Sequence, residues 1–95
     1  MATEKEKEKV RELVELAMQI NDNRTVNCAV DVNGHGVEMR ISTIPFESEW
    51  LFYSHDAAYF EDMTFTEDRF ISRMNSYIEE AKKHHPSFDA DGVKL

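Results

Sequence analysis

The apolar residues of this chain change period twice, and that change restricts the fold more than any other feature. From Val10 to Ile20 they recur every third and fourth position, from Val26 to Ile41 every second, and from Phe70 to Ala81 every third and fourth again. A 3.6-residue repeat places side chains on one face of a helix, and a two-residue repeat places them on one face of a strand. The order is therefore helix, sheet, helix.

Thr3 followed by Glu6 has capping-box spacing and marks the start of the first helix. Val10, Leu13, Val14, Ala17 and Met18 form its apolar stripe, widened by Leu16 and Ile20. The Glu/Lys run at 4–9 is a solvated face, supported by pairs such as Glu4–Lys7. Asn21, Asp22 and Asn23 end the helix, because their side chains compete for backbone hydrogen bonds.

Val26, Cys28, Val30 and Val32 alternate with polar or small residues, as do Val37, Met39 and Ile41. Asn33-Gly34 between the two runs is a hairpin signal of the two-residue type. That turn sets Val32 opposite His35, Val30 opposite Val37, Cys28 opposite Met39 and Val26 opposite Ile41. A four-residue loop would set Asp31 opposite Glu38, a like-charge pair, so the tighter turn is expected. Pro45 interrupts the pattern, and a third strand is expected over Glu49–Ser54, with Trp50 and Phe52 facing one way and Leu51 and Tyr53 the other. His55 to Phe65 holds either a short fourth strand around Tyr59 and Phe60 or a loop.

Thr66, Glu67 and Asp68 open the second helix with acids at the positive end of its dipole. Phe70, Ile71, Met74, Tyr77, Ile78 and Ala81 make its stripe, and Pro86 stops it. The expected fold is α+β, order α-β-β-β-α. Its antiparallel sheet of three or four strands is covered on one face by both helices. Residues 1–86 form one domain and 87–95 a polar, flexible tail. The other sheet face, carrying Asn27, Asp31, Glu38, Arg40, Glu49, Leu51 and Tyr53, is left to water or a partner.

Charge then narrows the function. The formal net charge is −8, and residues 25–65 contribute −6 of it, one basic residue against seven acidic. Direct nucleic-acid binding is excluded in expectation, because phosphates need Lys and Arg clusters. The first helix has a mixed polar face, unlike the basic face of a membrane-surface helix. No apolar signal core or membrane-length run occurs, and Cys28 is the sole cysteine, so a reducing, cytoplasmic setting is expected.

No catalytic or cofactor-binding pattern emerges. Asp31, Asn33, His35 and Gly36 imitate the start of a calcium loop, but Ser42 stands where the bidentate Glu belongs. His35, His55, His84 and His85 lack metal-ligand spacing and read as solvated turn and cap residues. Cys28 falls in the buried register of its strand and reads as an inert thiol. Ser54, His55 and Asp56 are consecutive, which is adjacency rather than a converging triad. Glycine occurs only at 34, 36 and 92, which leaves no phosphate-cradling loop. Neither an enzyme, a metal nor a cofactor is expected.

The remaining signal is the interleaving of acids with large rings. Glu47, Glu49, Leu51, Tyr53, Asp56, Tyr59, Glu61 and Asp62 are the candidate partner-binding residues. Some of Leu51, Tyr53, Tyr59 and Phe60 are expected on the surface, where rings anchor a protein and carboxylates meet its Lys and Arg. In size, acidity and helix–sheet–helix order the chain resembles the phage-encoded inhibitors that include many anti-CRISPR proteins. That resemblance implies a nucleic-acid mimic engaging a basic protein surface, and it carries over no individual residue. The alternative is a homodimer, because acidic helix–three-strand–helix domains also resemble parts of the secretion chaperones. Leu51, Tyr53 and residues 55–65 would then form a self-complementary interface.

Overall fold

A computed structural model describes residues 2–23, 26–43, 50–53, 57–60, 66–85, 87–88 and 93–95. Helix α1 (Glu4–Asn23) precedes strands β1 (Val26–Val32), β2 (Gly36–Thr43), β3 (Trp50–Tyr53) and β4 (Ala58–Tyr59), and helix α2 (Glu67–Lys82) follows. Every strand pairing is antiparallel, so the fold is α+β with the expected order. No helix among the described residues is long and apolar enough to cross a membrane.

The helix starts follow from their caps. Thr3 N–H donates to Glu6 Oε1 at 2.8 Å, and Glu6 N–H donates to Thr3 Oγ1 at 3.2 Å, a reciprocal box that satisfies two otherwise unpaired donors. Glu6 is fully buried. Thr66 caps α2 by accepting from Arg69 N–H at 3.2 Å.

One hydrophobic cluster joins Leu13, Ala17 and Ile20 of α1, Cys28 of β1, Val37, Met39 and Ile41 of β2, and Phe70, Met74, Tyr77, Ile78 and Ala81 of α2. Burying a side chain of this size contributes about 1.5–3 kcal/mol, so this cluster is the main source of stability. The α1 stripe departs from expectation at Met18, which is 59% exposed. At 3.6 residues per turn, Leu13, Ala17 and Ile20 share a narrow arc that position 18 falls outside.

The hairpin is also corrected. Val32 lies opposite Val37, Asp31 opposite Glu38, Val30 opposite Met39, Cys28 opposite Ile41 and Val26 opposite Thr43. Asn33 N–H donates to Gly36 O at 3.0 Å, while its side-chain Oδ1 accepts from His35 N–H at 2.7 Å and Gly36 N–H at 3.1 Å. The asparagine thus organises the loop through its side chain, as Asx turns do. The like-charge pair that counted against this register is offset diagonally: Arg40 Nη2 donates to Asp31 Oδ2 at 2.9 Å. The observed and expected registers differ by two residues, which leaves every side chain on its expected face.

Strand β3 sets Tyr53 opposite Arg40 and Phe52 opposite Ile41, then shifts register so that Trp50 meets Ser42. Ser42 leaves the polar alternation there and is buried. Strand β4 sets Tyr59 opposite Gly36 and Ala58 opposite Val37. Since β1 already occupies one side of β2, β3 and β4 follow each other along the other side. Gly36 permits this approach: a Cβ there would sit 2.2 Å from Ala58 O. The expected third strand is thus observed over Trp50–Tyr53, and Glu49 and Ser54 lie outside the described residues. Of the two alternatives for His55 to Phe65, a short fourth strand around Tyr59 and Phe60 or a loop, a strand is observed over Ala58–Tyr59.

Candidate functional site

Directly opposed residues of an antiparallel sheet share a face, so the register fixes who neighbours whom on the side away from the hydrophobic cluster. Across β2, Ala29–Arg40–Tyr53 form one row, Asp31–Glu38 the next and Tyr59–Gly36 a third. Leu51 and Tyr53 flank Phe52, whose ring meets that of Tyr77 edge-on at 6.0 Å. With Phe52 directed at α2, Tyr53 turns outward by strand alternation, while Leu51, the extra residue at the register shift, is also exposed.

Three of the eight candidate residues are placed at the surface: Leu51 is 39% exposed, Tyr53 50% and Tyr59 45%. The remaining five, Glu47, Glu49, Asp56, Glu61 and Asp62, lie outside the described residues. Phe60 turns inward, with its ring 5.1 Å from that of Phe70. The adjacent Tyr59 is exposed instead, which distinguishes two rings of similar size.

The charges on this face are unequal. Asp31 is engaged by Arg40. Glu38 is exposed and forms no ion pair or side-chain hydrogen bond among the described residues. Asp31, Glu38 and Arg40 together carry −1, and that charge resides on Glu38.

Among the described residues the other candidate groups serve structural roles, and Ser54, His55 and Asp56 lie outside them. Asp31 and Asn33, the imagined calcium ligands, spend their oxygens on Arg40 and on the loop backbone. Among the described residues no group of three His, Cys, Asp or Glu side chains is placed to hold a metal ion. Cys28 is buried, and that burial pushes its thiol up to about 11, the opposite of an activated nucleophile.

His85 corrects the reading of the histidines as solvated. It is 8% exposed, its Nε2 lies 2.6 Å from Gln19 Oε1, and its Nδ1 accepts from Ser87 N–H at 3.0 Å. Gln19 Nε2 in turn donates to Glu15 Oε1 at 3.1 Å. That chain of bonds fixes the tautomer with hydrogen on Nε2 and ties the end of α2 to α1. Phe88 closes over it, its ring 5.2 Å from the imidazole, and pairs back with Lys94. The Gln19 partnership spans 66 residues, and no local pattern announces it.

Grooves also lie elsewhere among the described residues. One of about 440 Å³ is lined by Lys5, Glu8, Lys9, Glu12, Glu67, Asp68 and Ile71 between the helices. Another of about 320 Å³ is lined by Lys7, Val10, Arg11, Val32 and Phe60. The first has a single apolar residue, and its Lys9 is paired with Glu12 at 3.6 Å. The first therefore lacks the apolar walls that hold a small molecule, whereas the second sets Val10, Val32 and Phe60 beside Lys7 and Arg11.

Comparison with protein-family models, curated proteins and solved structures gave no match.

Proposed function

We propose that the chain is a non-enzymatic protein-binding module that offers the open face of its sheet to a basic protein surface. One observation carries this reading: Tyr53 and Tyr59 are exposed on the face away from the core, with Leu51 exposed on the same strand as Tyr53, around Glu38, which has no ion pair among the described residues. Exposed rings beside carboxylates suit a cationic partner, because the rings supply contact area while the acids set register and steer the encounter. The finer form is a nucleic-acid mimic of the phage-inhibitor kind. That form requires Glu47, Glu49, Asp56, Glu61 and Asp62 to extend the carboxylate field outward from Glu38.

Self-association through the same face is the competing arrangement. It would bring two uncompensated faces of like sign together, which charge repulsion opposes at low salt.

The test compares proteins captured from a lysate by the wild-type chain, by Leu51→Ser/Tyr53→Ser/Tyr59→Ser, and by Met18→Ser on α1, with folding checked by circular dichroism. The expected result is one basic protein held by wild type and Met18→Ser, released by salt and lost by the triple variant. Capture undiminished in the triple variant contradicts the proposal, as does a salt-resistant homodimer that the triple variant disrupts.

A further inference from the structure

We infer that Glu38, set between Tyr53 and Tyr59, is the seat of a single arginine side chain of the partner. The inference rests on the sheet-face reading above and names the chemistry its centre would recognise.

Position is the first support. Tyr59 pairs with Gly36, two residues before Glu38, and Tyr53 pairs with Arg40, two residues after it. Glu38 therefore has an exposed phenol ring on each diagonal, at the roughly 7–8 Å spacing that long and aromatic side chains bridge. On its other flank stands Asp31, directly opposite.

Charge is the second. Asp31 and Glu38 form a like-charge pair served by one internal cation, and Arg40 gives its Nη2 to Asp31 at 2.9 Å. Among the described residues the row is one cation short. A cation from outside, placed over Glu38, would complete an alternating arrangement of two acids and two bases, which no second copy of this face supplies.

The flanking rings choose between the two possible cations. A guanidinium is planar, meets a carboxylate through a two-pronged fork and lies flat on an aromatic face. An ammonium is a compact, strongly hydrated charge that gains less from a ring. With a carboxylate at the centre and a phenol on either diagonal, the site favours arginine over lysine.

The test titrates the isotopically labelled full chain with acetylated hexa-arginine amide and its hexa-lysine counterpart at low salt, followed by amide chemical shifts. The expected result is that hexa-arginine binds more tightly and moves the amides of Glu38, Tyr53 and Tyr59. Glu38→Gln weakens hexa-arginine by roughly fivefold, whereas Glu8→Gln, the same charge change on α1, does not. Tyr53→Leu/Tyr59→Leu brings hexa-arginine down to the hexa-lysine level.

Equal affinity in wild type and Glu38→Gln overturns the inference, as does a shift map confined to the helices or no binding by either peptide. Those outcomes leave the sheet-face reading to the capture assay, where persistence of the partner in the Leu51/Tyr53/Tyr59 variant, or a salt-resistant homodimer that this variant disrupts, removes it.

Discussion

The side-chain amide of Asn21 takes the place of a neighbouring strand for Cys28: its Nδ2 donates to Cys28 O at 2.9 Å, and its Oδ1 accepts from Cys28 N–H at 2.7 Å. In the observed register Cys28 turns both backbone groups away from β2, toward the outer edge of the sheet. Asn21, in the last turn of α1, covers that edge at one rung.

Asn21→Ala removes both bonds and leaves an edge able to pair with another chain. The expected loss is about 1–3 kcal/mol, reduced by about 0.5 kcal/mol because alanine favours the helix. Urea unfolding measures the loss. Light scattering at rising concentration is expected to show association that wild type lacks.

The two hairpin glycines are expected to respond oppositely to alanine. Gly36→Ala forces a Cβ against Ala58 O and the Tyr59 backbone, an overlap that costs about 1–3 kcal/mol. Gly34 has no atom within 4 Å of the same construction and no left-handed backbone. Gly34→Ala is therefore expected to be neutral or to stabilise by about 0.4–1 kcal/mol through the unfolded chain. Thermal unfolding of the two variants side by side decides it.

Arg40 is expected to matter because Asp31 and Glu38 face each other. Arg40→Met destabilises by about 0.5–1 kcal/mol, most at low salt, and adding Glu38→Gln recovers most of that loss. A double-mutant cycle in urea, run at two ionic strengths, reads the coupling.

Cys28 gives a pH signature. Burial raises its thiol from 9.0 to about 11, so between those values the unfolded chain has lost a proton that the folded chain keeps. The stability tied to this group is full below pH 9 and falls as pH rises toward 11. Cys28→Ala is expected to flatten that part of the stability curve. In wild type, a thiol reagent is expected to label Cys28 at the rate of unfolding rather than at the rate of a free thiol.

How much of this was legible follows from the range of each interaction. Both caps, both stripes and the alternation of β1 and β2 are local patterns, and the helices and strands appear where those patterns set them. The faces survived even the hairpin error, since a two-residue slip preserves parity. The loop length was hidden because it depends on Asn33 folding its side chain onto the His35 and Gly36 amides, and on Gly36 lying against Ala58, twenty-two residues away. His85 was misread for the same reason, its partner Gln19 being on the other helix. At the candidate site, period-two spacing marked Leu51 and Tyr53 as outward. The choice between Tyr59 and Phe60 required the contact with Phe70.

The most direct measurement places a photoreactive benzophenone side chain at position 53 of the full chain, and separately at position 18, and irradiates each in a host lysate. Position 53 is expected to cross-link a basic protein, with the adduct reduced when Glu38→Lys is added, while position 18 yields none. Adducts from position 18 with none from position 53 would contradict the claim that the open sheet face is the binding surface.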